Sequence, residues 1–185
     1  MRAVLTYHSI DSSGSPISVS ADQFEAHCRF LSSADVEVVS LLDLVGGGDS
    51  VRPRVAITFD DGFVNFTTEA SPRLQDHGLP ATLFVVTGRV GEDNTWTGSA
   101  QAGIPTLPLL DWDGIAKVNE RGVTLGAHTH THPRLSECSP AELLDEIAQP
   151  VEVLRERIGV EATTFAYPYG DHDAKTVAVT SAHYD

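Results

Sequence analysis

The chain has 185 residues, 41% of them hydrophobic and 21% charged, which is the composition of one globular domain. Its 26 acidic and 12 basic residues give a formal net charge of −14, and a field of that sign repels nucleic acid. No apolar run approaches the roughly 18 residues of a membrane span, and the first residues lack the pattern of a signal peptide, so a cytoplasmic location is the default expectation.

Apolar runs and helical patterns alternate along the chain. Strands are predicted at residues 3–7, 36–41, 55–59, 81–86, 123–127 and 163–166. Helices are predicted from Ser20 onward, at 65–77, from Asp111 or Asp113 to 121, at 140–158 and at 173–182. Pro150 is expected to kink or split the helix at 140–158. The stretch 88–110 has no clear period and is predicted to be a long loop, which in a compact domain is often functional.

This alternation predicts an α/β fold with a parallel sheet and helices outside it. An open sheet and a closed or partly closed barrel both satisfy the pattern, and residues 1–185 are expected to form a single domain. In either architecture, functional side chains lie at the carboxyl ends of the strands. Six candidate residues fall at such ends: His8, Asp60, Asp61, His128, His132 and Tyr169.

Two adjacent carboxylates follow the third predicted strand in the segment Thr58-Phe59-Asp60-Asp61-Gly62. Two like charges in an apolar setting are unfavourable unless a positive group lies beside them, and a divalent cation would supply it. Gly62 permits a turn that lets both side chains converge, so that one carboxylate binds a metal and the other holds a water. The alternative is that Asp60 caps the next helix and Asp61 is solvated.

Three histidines follow the fifth predicted strand within residues 128–133. Histidines four apart lie on the same side of a helical turn, so His128 and His132 can reach one metal while His130 faces elsewhere. Two imidazoles and one carboxylate leave an open position on zinc for water, which is typical of a catalytic rather than a structural site. The metal would lower the pKa of that water to about 7. A solvated turn is the alternative interpretation.

Two aromatic residues are further candidates. Tyr169 follows Pro168, which fixes the local backbone and can hold the Tyr169 amide toward the site as an oxyanion donor. The alternative is that these residues only shape the exit from the strand. Trp96, in the long loop, either stacks on a sugar ring or pins the loop to the rest of the domain.

Taken together, the three motifs resemble a known family. The order Thr-Phe-Asp-Asp-Gly, His-Thr-x-x-His-Pro and Tyr-Pro-Tyr-Gly is similar to that of the polysaccharide deacetylases of the NodB-homology group, carbohydrate esterase family 4. The resemblance covers most of the chain, residues 3–185. It implies a distorted parallel (β/α) barrel with fewer than eight strands. It also implies metal-dependent removal of acetyl groups from N-acetylglucosamine polymers or, less often, from O-acetylated sugars.

The resemblance also implies a role for each candidate residue. Asp61, His128 and His132 would bind the metal, and Asp60 would be the general base that takes a proton from the metal-bound water. The Tyr169 backbone amide would help the metal to stabilise the tetrahedral oxyanion. Trp96 has no role assigned by the resemblance, and its two interpretations stay open.

His8 is placed by a resemblance to one branch of the family. The opening segment 5–8, Leu-Thr-Tyr-His, looks like the branch that deacetylates poly-N-acetylglucosamine exopolysaccharide, in which the motif order is permuted. That branch implies that His8 is the general acid or a substrate contact. A strand-end histidine bonded to backbone is the alternative.

The sequence departs from the family pattern at three places. Ala166 stands where the family has an arginine that orients the catalytic base. The downstream Asp-x-x-Asp-Trp and Leu-x-x-His motifs are missing. The chain ends at Asp185, where the family enters another strand, so a barrel incomplete at its carboxyl end is expected, in either a truncated or a minimal member.

The predicted function is a hydrolase that removes acetyl groups from an N-acetylglucosamine-containing glycan, with a divalent metal as cofactor. Zinc is the first choice of metal, and cobalt, nickel or iron would accept the same ligands. The expected partner is the acetylated glycan, with no nucleic acid and no membrane span. Two alternatives stay open, a metal-dependent amidase acting on a small non-glycan amide and a catalytically inactive sugar-binding module.

Overall fold

The computed structural model describes residues 1–33, 35–48 and 50–185. The strands in these residues are β1 (Arg2–Tyr7), β2 (Ser9–Ile10), β3 (Ser18–Val19), β4 (Glu37–Val38), β5 (Arg54–Phe59), β6 (Ala81–Val85) and β7 (Thr124–Ala127). The main sheet is parallel, with β1, β5, β6 and β7 side by side and β4 paired to the first residues of β5. Strands β2 and β3 form a separate parallel pair. The predicted α/β class is therefore confirmed.

Helices connect the strands of this sheet. The α-helices in the described residues are α1 (Ala21–Ser33), α2 (Leu41–Gly46), α3 (Ser71–Asp76), α4 (Trp112–Glu120), α5 (Pro140–Ile158) and α6 (Ala174–Thr180). A π-helical segment, Phe66–Ala70, leads into α3, and 3₁₀ turns occupy Thr87–Arg89, Leu135–Glu137 and Pro168–Gly170. None of the described helices is both long enough and apolar enough to cross a membrane.

The capping signals of the sequence place several helix ends correctly. Asp111, rather than Asp113, begins α4 and accepts a hydrogen bond from the Gly114 amide. Ser139 and Glu142 form the reciprocal capping box at the start of α5, where two otherwise unsatisfied amides find partners. These local interactions explain why the predicted bounds of α4 and α5 agree with the structure to within about two residues.

Two predicted strands are shorter than their apolar runs. The run at 36–41 forms only β4, because Ser40 accepts a hydrogen bond from the Asp43 amide and begins α2, a helix that the sequence analysis missed. The run at 163–166 contributes a single bridge between Phe165 and Ala127. That bridge still continues the parallel order of the sheet beyond β7.

The expected break at Pro150 does not split α5. The helix runs without interruption from Pro140 to Ile158, with Pro150 inside it and buried. A proline in a helix interior costs about 3 kcal/mol. Leu143, Ile147 and Leu154 are almost fully buried against the core, and burial of each contributes about 1.5 to 3 kcal/mol, so packing outweighs the proline.

The hydrophobic core lies along the sheet and aligns the strand ends. Strands β5 and β6 are buried almost throughout. In the register of the sheet, Tyr7 pairs with Phe59 and Val85 pairs with Ala127, and these four residues are the last of their strands. The segments that follow β1, β5, β6 and β7 therefore emerge at one edge.

Candidate metal centre

The residues that follow the aligned strand ends line one cleft of about 360 Å³. His8 follows β1, Asp60 and Asp61 follow β5, and His128 follows β7, with His132 four residues further on. This is the carboxyl edge of the parallel sheet, where α/β proteins place their functional groups. The structure therefore brings together five residues that are far apart in the sequence, since His8 and His132 are 124 positions apart.

A sharp turn directs both carboxylates into the cleft. Asp61 has a φ of 72° and Gly62 a φ of 84°, and the Gly62 amide donates a 2.9 Å hydrogen bond to the Asp60 carbonyl oxygen. The turn cancels the alternation of side chains along β5, so Asp60 and Asp61 share one side. Both are buried, with 9% and 6% of their surface exposed. The alternative in which Asp61 is solvated is therefore wrong.

The two candidate histidines are brought together by a tight loop, and the expected helical turn is wrong. Thr129 and His132 have φ values of 65° and 68°, and the His132 amide donates a 2.9 Å hydrogen bond to Thr129 Oγ1. Left-handed backbone costs about 1 to 3 kcal/mol for each such non-glycine residue. The loop therefore depends on contacts from its surroundings to keep this shape. It is buried at His128, Thr129 and His132, so a solvated turn is also wrong.

Asp61, His128 and His132 converge on one point. Asp61 Oδ1 lies 3.4 Å from His128 Nε2 and 3.2 Å from His132 Nε2. One ligand atom from each residue lies within 4.8 Å of the other two, and all three residues are buried. These separations and donor types suit one divalent ion, which binds oxygen and nitrogen ligands at about 2.0 to 2.2 Å.

The other ring nitrogen of each histidine is already engaged. His128 Nδ1 lies 2.8 Å from the Ala166 carbonyl oxygen, which requires a proton on Nδ1. His132 Nδ1 lies 3.2 Å from the Tyr169 hydroxyl group. These contacts hold the rings with Nε2 facing Asp61, and outer partners of this kind set the tautomer and orientation of metal-binding histidines.

Unpaired buried oxygens support the fit of a cation. Among the described residues, neither Asp61 Oδ1 nor Asp60 Oδ1 has a hydrogen-bond partner of good geometry, although both atoms are buried. A buried carboxylate oxygen without a partner is costly, and a cation held at this point would satisfy it. The residues present therefore fit a metal ion.

Burial and the neighbouring charges shift the pKa values of four residues in the cleft. Burial raises the pKa of Asp60, against the opposing effect of His128 and His8. Burial also acts to raise the pKa of Asp61, but the two imidazoles outweigh it and hold that pKa well below its usual range. Burial lowers the pKa of His132, whereas the pKa of His128 is raised because Asp61 and Asp60 outweigh the same effect.

His8 faces Asp60 across the cleft. His8 Nε2 lies 3.8 Å from Asp60 Oδ2, and a third of the His8 side chain is exposed. Within the described residues, no backbone hydrogen bond to the His8 ring is present, which disfavours a purely structural role. Ala166 supplies no charge to Asp60, and its carbonyl oxygen supports His128 instead.

Two aromatic side chains pack on His132. The Trp96 ring stacks on the His132 imidazole with centroids 4.3 Å apart, and Trp96 is 9% exposed and packs with Phe63, Val86 and Leu109. This placement favours a role in pinning the loop over an open platform for a sugar. Tyr169 is half-exposed, and its hydroxyl group contacts His132 and accepts a 3.3 Å hydrogen bond from the Gln101 amide.

The structure adds cleft residues that the sequence analysis did not single out. They come mostly from the long loop and from the segment before Tyr169: Asn94, Gln101, Ile104 and Tyr167. The lack of periodicity at 88–110 identified the loop, but nothing in the sequence distinguished its individual members. As expected, His130 faces away from the cluster, and its Nδ1 lies 3.1 Å from Thr87 Oγ1.

The parallel α/β fold with an Asp-His-His group at its carboxyl edge is consistent with the family that the three motifs resemble, and a comparison with family models identifies the same family. The model for the polysaccharide deacetylase family matches residues 47–184, and the chain belongs to that family. The resemblance noted from the three motifs is therefore confirmed.

Two curated relatives are similar to most of this chain. YxkH of Bacillus subtilis strain 168, whose name places it in the same family, is 25% identical over 178 residues, covering 94% of this chain and 58% of the relative. The poly-β-1,6-N-acetyl-D-glucosamine N-deacetylase of Staphylococcus aureus strain MSSA476 is 27% identical over 166 residues, covering 83% and 54%. The chain thus spans little more than half the length of either relative.

Solved structures show the same fold. IcaB from Ammonifex degensii superposes with a TM-score of 0.82 at 24% identity, covering 99% of this chain and 80% of that one. The Streptococcus pyogenes deacetylase PplD, solved in complex with acetate, gives 0.81 at 23% identity, covering 98% and 80%. These superpositions confirm the expected polysaccharide deacetylase type of α/β fold.

Proposed function

We propose that this chain catalyses the metal-dependent N-deacetylation of a glycan that contains N-acetylglucosamine. The observation that carries the proposal is the group formed by Asp61, His128 and His132, whose ligand atoms lie within 4.8 Å of one another in a buried position. Membership of the polysaccharide deacetylase family supports the reaction type. The Staphylococcus aureus relative, named for poly-β-1,6-N-acetyl-D-glucosamine, supports the substrate class.

The cofactor of this proposal is a divalent metal ion, with zinc as the first choice. Asp61, His128 and His132 would hold it through one carboxylate oxygen and two Nε2 atoms, a donor set that also accepts cobalt, nickel or iron. When bound, such an ion polarises a carbonyl group and lowers the pKa of water to about 7.

Asp60 and His8 carry out the two proton transfers of the proposed reaction. Asp60 is the general base, since its buried Oδ1 has no other partner in the described residues and can accept a proton from the attacking water. The water oxygen bonds to the acetyl carbon, the carbon–nitrogen bond breaks, and acetate leaves. His8, across the cleft from Asp60, donates the proton that the sugar nitrogen takes up. The Tyr169 amide stabilises the negative oxygen formed between these steps.

The lining of the cleft supports a sugar substrate. Tyr167 and Tyr169 present aromatic surface, which suits the apolar face of a pyranose ring. Asn94 and Gln101 carry amide groups that can pair with hydroxyl or acetamido groups. A cleft with both kinds of surface is typical of a site for a polar ligand with apolar faces.

The test measures acetate release by metal-stripped protein after addition of zinc, cobalt or nickel. The substrates are poly-β-1,6-N-acetylglucosamine, chitooligosaccharides and a small acetylated amine without a sugar. We expect metal-dependent release from the glycans and little from the small amide. Release from the small amide alone would favour a small-molecule amidase, and glycan binding without release would favour a sugar-binding module; either result overturns the proposal.

A further inference from the structure

We propose that Glu146 of α5 is a positioning residue that holds the histidine loop, residues 128–132, in its metal-binding shape. The inference rests on the proposed function, because the loop matters for catalysis only if it holds a metal ion. Glu146 does not line the cleft, and its side chain makes no hydrogen bond or ion pair with His128 or His132, so it acts through the backbone between them.

The Glu146 carboxylate accepts hydrogen bonds from the donors at the turn of the histidine loop. Its Oε2 atom accepts hydrogen bonds from the amides of His130, at 2.9 Å, and Thr131, at 2.7 Å. Its Oε1 atom accepts a 2.5 Å hydrogen bond from the Thr131 hydroxyl group. One side chain thus satisfies three donors of two consecutive residues, and hydrogen bonds to a charged acceptor are stronger than those between neutral groups.

The position of these donors explains why the contact matters. His130 and Thr131 lie between Thr129 and His132, the two residues with left-handed backbone. A carboxylate that binds both intervening amides favours the conformation in which they point to the same side. Release of these amides would let the backbone relax, and His132 would then move relative to His128.

The opposite side of the loop is held by the segment after β6. The Gly88 amide donates a 2.7 Å hydrogen bond to the His130 carbonyl oxygen, and Thr87 Oγ1 lies 3.1 Å from His130 Nδ1. A Cβ atom on Gly88 would lie only 2.6 Å from that carbonyl oxygen, so the two segments are in close contact. The loop is therefore held between the 3₁₀ turn that follows β6 and helix α5, and Glu146 provides the contacts from α5.

The helix that carries Glu146 is itself well anchored. Leu143 and Ile147, on either side of it in sequence, are almost fully buried in the core. The Ile147 carbonyl oxygen also accepts a 2.7 Å hydrogen bond from the Tyr184 hydroxyl group. Because the backbone at Glu146 is fixed in this way, its carboxylate is a rigid acceptor for the loop.

The test compares Glu146→Ala with two control variants, Glu146→Gln at the same position and Glu152→Gln elsewhere on α5. Glu146→Gln keeps an oxygen for the amides and an NH₂ group that can donate to Thr131 Oγ1, so it should rescue the loop. Glu152 is exposed on α5, and its side chain makes no hydrogen bond or ion pair within the described residues, so Glu152→Gln controls for the loss of one negative charge.

Cobalt affinity and amide hydrogen exchange, measured on the wild type and the variants, test whether Glu146 positions the histidine loop. Cobalt binding, followed by its visible absorbance, should weaken by about 10- to 100-fold in Glu146→Ala and by much less in Glu146→Gln and Glu152→Gln. Hydrogen exchange at the His130 and Thr131 amides, measured on metal-free protein, should speed up by about 10-fold or more in Glu146→Ala. Unchanged cobalt affinity in a folded Glu146→Ala protein would overturn the inference.

The two proposals fail in different ways. If the wild type binds no cobalt, the proposed function is wrong, and the exchange data still report whether Glu146 holds the loop. If Glu146→Ala does not fold, Thr131→Val replaces it, because that variant removes only the hydroxyl donor. It should weaken cobalt binding by a few-fold, and no change there would also overturn the inference.

Discussion

The two sides of the cleft are built in different ways. One side, which we call the floor, comprises residues 60–62 and 128–132. It is buried except at His130 and Thr131, which are half-buried, and hydrogen bonds tie it to β1, β6 and α5. The other side, the wall, comprises residues 93–105, and its segment 97–100 is exposed. The wall is tied mainly to itself and to the residues that follow it in the chain, for example by the Asn94 side chain, which donates to the Pro105 carbonyl oxygen and accepts from the Leu107 amide.

Under the proposed function, this difference would separate two tasks within one cleft. Groups that hold a metal ion and transfer protons need fixed positions, and the floor provides them through a rigid scaffold. A wall made of a long loop can vary in length and side chains without disturbing the sheet, so it is suited to choosing the substrate. Substitutions in the floor should therefore reduce metal binding or turnover, and substitutions in the wall should change substrate affinity.

The largest effect is expected from Asp61→Asn. Asparagine tolerates the left-handed backbone of Asp61 better than alanine does, so the turn should persist. The amide oxygen carries no negative charge, and the cation loses its only anionic ligand among the three residues. We expect cobalt or zinc affinity to fall by more than about 100-fold and acetate release to fall below detection. Wild-type metal affinity measured by titration would contradict the assignment.

The neighbouring substitution Asp60→Asn is the matched comparison, with the same change of charge and shape one residue away. Asp60 is not one of the three ligand residues, so metal affinity should stay within a few-fold of the wild type. Because the proposed base is lost, kcat should fall by about 10²- to 10⁴-fold. The measurement pairs a metal titration with initial rates of acetate release. Near wild-type turnover would show that Asp60 is not the base.

The floor was predictable in its residues but not in its conformation. The motifs and the rule for strand ends identified Asp61, His128 and His132, and the structure places all three together. The left-handed backbone at Thr129 and His132 could not be inferred, because it depends on tertiary contacts from distant residues such as Glu146. Hydrophobic period and motif spacing contain no information about such contacts.

The fold shows the same division between local and tertiary signals. Capping residues such as Ser139 fixed the start of α5 correctly because the signal and the structure are both local. The apolar run at 163–166 predicted a full strand, yet only Phe165 pairs with β7, since a strand also requires a partner along its length. Pro150 predicted a kink or a split, and α5 is not split because its buried residues hold it against the core.

The smallest effect on metal binding or turnover is expected from Trp96→Ala. This variant is also the most informative about how the floor and the wall are connected. Trp96 belongs to the wall in sequence, but its ring stacks on His132, so it is where the wall touches the floor. We expect Trp96→Ala to weaken metal binding by about 10-fold, at the lower end of the range for residues that support a metal ligand. It should also lower the free energy of unfolding by about 3 kcal/mol through lost packing.

Trp96→Phe serves as the control, because a smaller ring can keep part of the stack on His132 and of the packing against Phe63 and Leu109. Metal titration, denaturant unfolding and the separate values of KM and kcat distinguish the two roles of this side chain. If Trp96→Ala raises KM for the glycan and leaves metal affinity intact, Trp96 contacts the sugar rather than supporting His132. In that case the floor would hold His132 without support from the wall.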